Sequence, residues 1–177
     1  YFTGGEPFVY PYFTKILGDL LKDNDVHAVV LTNGLLIQEH IAALRRLPTD
    51  RLHLQISMDG MEKCHDAIRG KGTFARLQKN LECLSLNNIP VTLSVTVNRG
   101  NITDLPAIIA FAAETDIHNI HLLYHFIRGK GSSSQFIPAE EIFPHLAKAQ
   151  IQAESVGVTI DNFETIKSQV FSSPGTR

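Results

Sequence analysis

Cysteine is scarce in this sequence: 177 residues contain two, Cys64 and Cys83. Two thiols build no disulfide framework. An iron–sulfur centre takes three or four protein thiolates, so these two cannot hold one by themselves. The eight histidines are scattered. No His-x-x-x-His pair falls on a helix and no Cys/His group has zinc spacing, so no metal ligands are assigned. No apolar run approaches the roughly 20 residues that span a bilayer. Tyr1-Phe2-Thr3-Gly4-Gly5 is not a signal peptide, and no initiator methionine precedes it. A formal net charge of −2 implies neither nucleic acid nor a membrane as partner. Phosphate loops are missing as well. Gly70-Lys71-Gly72 and Gly129-Lys130-Gly131 do not fit G-x-x-x-x-G-K-[ST], and no G-x-G-x-x-G follows the first strand.

What remains is an apolar share of 44% and a charged share of 19%, the balance of a globular domain with a sizeable core. The chain alternates helix and strand. Phe13, Ile16, Leu17, Leu20 and Leu21 follow helical spacing behind Pro11, and Val26 to Leu31 reads as a strand breaking at Thr32-Asn33-Gly34. Ile37, Ile41 and Leu44 stripe a second helix, and the strand Leu52 to Ile56 breaks at Ser57-Met58-Asp59-Gly60. Phe74, Leu77, Leu81 and Leu84 stripe the next helix, and Val91 to Val97 breaks at Asn98-Arg99-Gly100-Asn101. A helix bearing Leu105, Ile108, Ile109 and Ala112 follows, then a strand from Ile120 to Ile127 that ends in Arg128-Gly129-Lys130-Gly131. Pro138 opens a helix with Ile142, Leu146 and Ala149. Val156 to Ile160 offers one more strand, and 172–177 reads as coil or linker behind a core of 1–171.

Strands and helices in this order mean right-handed βαβ units and a parallel α/β sheet. Two strands alternate instead of running apolar throughout. Leu52, Leu54 and Ile56 oppose His53, Gln55, Ser57 and Asp59, while Val91, Leu93, Val95 and Val97 oppose Thr92, Ser94, Thr96 and Asn98. With helices over the apolar faces, a polar row faces the other side, as in a partly open barrel rather than a packed one.

Ligands of parallel α/β folds sit at the carboxyl ends of the strands, where this chain places its polar, glycine-rich turns. Taken singly, each is no more than a turn; placed together at one end they describe a site. Gly4 and Gly5 bare the backbone, and Glu6 offers a carboxylate suited to an amine. Thr32, Asn33, Ser57, Asp59 and Asn98 are groups of the kind that bind ribose hydroxyls and amino-acid termini. Arg69 and Arg128 suit a carboxylate. The ligand described carries an amine, a carboxylate and a sugar.

Phe2-Thr3-Gly4-Gly5-Glu6-Pro7, Thr32-Asn33-Gly34 and Ser57-Met58-Asp59-Gly60, with His65-Asp66, Ile68-Arg69-Gly70 and Gly72-Thr73-Phe74 behind them, resemble the radical S-adenosylmethionine superfamily. Over about residues 1–130 the likeness is greatest to the branch with a Cys-rich SPASM domain that modifies peptides or proteins. The resemblance implies a partial (β/α)6 TIM-like barrel, here opening after its first strand and its CxxxCxxC loop and stopping before an auxiliary-cluster domain. It implies S-adenosylmethionine as cofactor, a [4Fe–4S] cluster held by residues outside this stretch, a 5′-deoxyadenosyl radical, a peptide or protein substrate, a reductant protein and a cytoplasmic setting. By motif, Gly4, Gly5 and Glu6 would hold the methionine amine. Ser57 and Asp59 would meet ribose or carboxylate, Arg69 the carboxylate, and Thr32 and Asn33 would line the pocket. Asn98 would end the fifth strand at the ligand, and the turn with Arg128 would lie near adenine. No residue is assigned to the catalytic step. Two other readings stay open: a degenerate barrel that binds a peptide leader, and an unrelated barrel lyase or aldolase. The latter needs a Schiff-base lysine, and no lysine falls within the proposed strands.

Overall fold

The computed structural model of the chain describes residues 1–124 and 133–172. Five parallel strands, β1 (Ala28–Thr32), β2 (Leu52–Ser57), β3 (Val91–Val97), β4 (Asn119–Tyr124) and β5 (Thr159–Ile160), form one sheet in the order β1-β2-β3-β4-β5. Strand order that follows chain order has no reversal point. Right-handed crossovers then put every helix on the same side, and the sheet bends around the other side as in a barrel. Tyr1-Phe2 adds the rudiment of a further parallel strand: the Phe2 N–H donates to Val29 C=O at 2.8 Å, and the Leu31 N–H donates to Phe2 C=O at 2.9 Å.

The helices are α1 (Phe13–Leu20), α2 (Ile37–Leu44), α3 (Glu62–Arg69), α4 (Thr73–Leu86), α5 (Leu105–Glu114), α6 (Ala139–Val156) and α7 (Phe163–Ser172). The expected stripes are buried in α4 and α5, whereas of the α1 stripe Phe13, Leu17 and Leu21 are buried but Ile16 and Leu20 are exposed, and Ile41 of α2 is partly exposed. Leu77, Leu81 and Leu84 of α4 and Ile108 of α5 pack without exposure against Leu54, Ile56, Leu93, Val95 and Val97. Full burial of such side chains stabilises by about 1.5–3 kcal/mol each, and this layer fixes which strand face is left for function.

Three elements depart from the sequence reading. α3 stands apart from α4, because Gly70 and Gly72 take φ of 109° and 82° between them. The strand expected over Val156 to Ile160 keeps only Thr159 and Ile160, since α6 runs through Val156 and closes on left-handed Gly157. α7 was not expected, and it includes Ser172, the first residue of the expected coil. β5 itself ends early, and the carboxamide of Asn162 takes the place of the next residue. Its Oδ1 accepts from the Leu122 N–H at 3.0 Å, and its Nδ2 donates to Leu122 C=O at 2.6 Å.

Candidate functional site

The turn after Phe2 is built on two glycines at positive φ, 95° for Gly4 and 32° for Gly5, and nothing stands within 4 Å of where their side chains would be. Glycine serves here for backbone conformation and leaves open ground above the turn. The carbonyls of Gly4 and Gly5 accept no hydrogen bond among the described residues. Glu6 closes the turn onto β1. Its Oε1 accepts from Thr32 Oγ1 at 2.7 Å and from the Phe8 N–H at 3.2 Å, and its Oε2 accepts from the Asn33 N–H at 2.8 Å. Thr32 Oγ1 in turn accepts from the Gly34 N–H, and Asn33 Oδ1 from the Leu35 N–H. The carboxylate expected to face a ligand amine is thus engaged in joining two loops.

The turn after β2 is held from three sides. The Met58 N–H donates to Ser94 C=O at 2.9 Å, prolonging the ladder to β3. Asp59 is buried and ion-paired with Nε of Arg69, so two residues each expected to meet a ligand meet each other. The terminal nitrogens of Arg69 have no partner among the described residues and remain open to a carboxylate. A side chain on Gly60, whose φ is 128°, would stand 2.6 Å from Cys64 Cβ and 3.0 Å from Asp104 Oδ2, which excludes any other residue there. Ser57 is half-buried, and its hydroxyl has no partner among the described residues. Asn98 turns inward instead, its Oδ1 accepting from the Gly100 N–H and its Nδ2 donating to Thr96 C=O. Arg128 lies outside the described residues.

Four residues that the sequence reading did not assign to the site do the positioning. Asn101 is fully buried and spans the β2 and β3 loops, donating to Thr96 C=O at 2.8 Å and Asp59 C=O at 3.3 Å while accepting from the Asn98 N–H at 2.8 Å. His65, without exposure, accepts from the Asp59 N–H through Nδ1 at 3.2 Å, which puts its proton on Nε2, where it finds no acceptor. Burial pushes its pKa down, so the ring is neutral. Asp66 gathers the Gly72 and Phe74 N–H groups at the start of α4, and these bonds lower its pKa. Asn80 donates from α4 to Gly34 C=O at 2.6 Å. An Asn three residues behind Asn98, and a His-Asp pair one turn behind the Ser57 turn, were the available signals.

The polar strand face is present as expected. His53 Nε2 and Thr92 Oγ1 are 2.7 Å apart, Gln55 Nε2 donates to Ser94 Oγ at 3.2 Å, and His121 Nδ1 lies 2.8 Å from Asp161 Oδ1. Burial pushes the His53 pKa down, opposed by the Asp161 carboxylate. Ser57 pairs in register with Ser94, and Ser94 with His121, so one row crosses the sheet to Asp161. A cleft of about 360 Å³ lies at the opposite, amino end of the strands, lined by Ser85, Asn88, Asp116 and His118 among others. It is a seam between two helix-to-strand loops and touches none of the turns above.

A parallel sheet wound in one direction, with helices over one face and its open turns at the carboxyl ends of the strands, defines a ligand-binding partial barrel. Residues 1–112 match the Radical SAM superfamily, and the chain belongs to it. It is 33% identical over 134 residues to Fe-coproporphyrin III synthase of Methanosarcina barkeri, covering 74% of this chain and 33% of that protein. It is 33% identical over 147 residues to mycofactocin maturase MftC of Mycobacterium ulcerans, covering 82% and 38%. PqqA peptide cyclase of Gluconobacter oxydans is 27% identical over 168 residues, covering 91% and 46%. The chain thus spans a third to a half of the length of these relatives. Native anSMEcpe with bound AdoMet and Kp18Cys peptide shares the fold with a TM-score of 0.70 at 20% identity, covering 97% of this chain and 53% of that one.

The superfamily uses AdoMet (S-adenosylmethionine) and a [4Fe–4S] cluster. The free carbonyls of Gly4 and Gly5, the Ser57 hydroxyl and the outer nitrogens of Arg69 fit an amino-acid and sugar ligand such as AdoMet. A cluster does not fit the thiols described. Cys64 Sγ donates to Gly100 C=O with its pKa pushed up by burial, and Cys83 sits on α4 beside Asn87. Among the described residues no three His, Cys, Asp or Glu are arranged to hold a metal.

Proposed function

We propose that this chain is the AdoMet-binding barrel of a radical enzyme that modifies a peptide or protein. The observation that carries the reading is the set of unpartnered atoms left at one end of a tightly bonded sheet. The carbonyls of Gly4 and Gly5 receive the methionine ammonium. Ser57 reaches a ribose hydroxyl or the carboxylate, and the outer nitrogens of Arg69 take the carboxylate while Asp59 holds Nε. Glu6, Thr32, Asn33 and Asn98 shape the pocket by holding its turns. Bound AdoMet supplies the 5′-deoxyadenosyl group for hydrogen abstraction. The superfamily match removes the unrelated lyase or aldolase.

A peptide or protein substrate is supported by the likeness to PqqA peptide cyclase and by the Kp18Cys peptide held in the anSMEcpe structure. A reductant protein and a cytoplasmic setting belong to the same reading; no helix among the described residues is long and apolar enough to cross a membrane. Calorimetric titration of the intact, anaerobically purified protein with AdoMet tests it. Saturable one-to-one binding that Ser57→Ala weakens is expected. No binding by the intact protein would sink the assignment and leave the leader-binding barrel.

A further inference from the structure

The row that contains Ser57 does not stop at the cofactor end of the sheet. Ser57, Ser94, His121 and Asp161 stand side by side on the concave face. At about 4.8 Å between neighbouring strands, His121 lies roughly 10 Å from Ser57. Nδ1 faces Asp161 Oδ1 at 2.8 Å, and since a carboxylate only accepts, Nδ1 carries a proton, so that in the neutral ring Nε2 is the base. Among the described residues Nε2 makes a single 3.4 Å contact, with Asn162 Nδ2, whose shorter bond goes to Leu122 C=O at 2.6 Å. The carboxylate is itself aimed by that clamp, because Asn162 locks the chain beside it to β4. The pair is reachable, with side chains 30% and 42% exposed.

From this geometry we propose that His121 Nε2 is the proton-accepting group of the substrate-facing chamber. It takes the N–H or O–H of a peptide substrate bound beside AdoMet. The ligand's X–H bond breaks heterolytically, its electron pair staying on the substrate nitrogen or oxygen, the Nε2–H bond forms, and the imidazolium charge is matched by Asp161, which aligns the ring without taking the proton. His53 feels the same carboxylate from β2, but its Nε2 lies 2.7 Å from Thr92 Oγ1, so among the described residues His121 is the histidine of this face whose ring nitrogen lacks a short hydrogen bond.

The inference rests on the function proposed above, and its test separates the two. Intact protein is treated with diethyl pyrocarbonate, which acylates accessible, unprotonated imidazole nitrogen, and modified peptides are mapped. His121 should react ahead of His53, and measurably slower in Asp161→Asn at a pH where both rings are neutral, while NMR of the imidazole nitrogens shows the proton on Nδ1. His121→Gln should leave AdoMet affinity and the melting temperature near wild type, as expected for an exposed pair. A proton on Nε2, an unreactive His121, or a sharp fall in melting temperature for His121→Gln would each overturn the proposal. Loss of AdoMet binding in His121→Gln would also overturn it, by placing the ring in the cofactor site, whereas failure of wild-type protein to bind AdoMet would strike the function reading alone.

Discussion

Glu6→Gln and Ser57→Ala should separate a residue that holds the site from one that awaits a ligand. Glutamine keeps one oxygen for the Thr32 hydroxyl and Phe8 N–H, but its NH2 group meets the Asn33 N–H where Oε2 accepted at 2.8 Å. A charge-assisted bond is replaced by two facing donors. Hydrogen bonds to charged groups are worth about 1.5–3 kcal/mol, which for a chain of this size lowers the melting temperature by roughly 4–10 °C. Ser57→Ala removes a hydroxyl that has no partner among the described residues, so its melting temperature should stay within about 1 °C of wild type. Its effect falls on the ligand: losing one hydrogen bond of about 1–1.5 kcal/mol weakens AdoMet binding roughly 5- to 12-fold. Glu6→Gln should weaken binding as well, through a loosened turn, and a chemical stabiliser of the fold should recover part of the loss. Differential scanning calorimetry and isothermal titration on the same three samples read both quantities. If Ser57→Ala lowers stability as much as Glu6→Gln and leaves affinity untouched, the separation drawn between the two residues is wrong.

Gly60→Ala should cost more than about 2 kcal/mol in a urea melt, because a methyl group at 2.6 Å from Cys64 Cβ adds overpacking to a left-handed backbone strain. His65 gives a pH signature. Its folded pKa lies below the ordinary 6.5, so the unfolded chain takes up the proton first. Its contribution to stability is complete above about pH 6.5 and declines as the pH falls from there toward the folded pKa. His65→Asn, which can still accept from the Asp59 N–H, should flatten the denaturation midpoint between pH 7 and 5, and an unchanged slope would contradict the assignment. Anaerobic treatment of the 177-residue chain with iron and sulfide should give no stoichiometric absorbance near 400 nm, since its two thiols are fewer than the three that such a cluster needs.

The sheet was readable because its two faces have opposite solvents. Alternation in Leu52–Ser57 and Val91–Val97 reports which side meets helices; the structure keeps it throughout Leu52–Ser57, while in Val91–Val97 it buries Leu93, Val95 and Val97 as expected but also covers Thr92 and Ser94 and leaves Val91 partly exposed. Turn positions were legible for the same reason that turns need particular residues. What each turn residue bonds to was not, because partners come from distant sequence. Glu6 lies 26 residues from Thr32, Asp59 lies 10 from Arg69, and Asn101 reaches 42 residues back to the carbonyl of Asp59. A polar residue at a strand end reads alike whether it faces a ligand or another loop. α7 escaped notice although Phe163, Ile166, Val170 and Phe171 have helical spacing, and the strand expected over Val156 to Ile160 was drawn too long because the two residues that form it carry no period.

The side-chain amide at Asn162 also decides how the sheet can grow. Beyond Ile160 the exposed margin of β4 is capped at Leu122, both of whose backbone groups are occupied by one carboxamide. A newcomer would have to break both bonds before pairing there. Across the sheet, the outer margin of β1 is covered by one residue, Phe2. Among the described residues the two flanks therefore differ, and an added strand, from elsewhere in the protein or from a second copy, meets less resistance alongside Tyr1 and Phe2 than at Leu122.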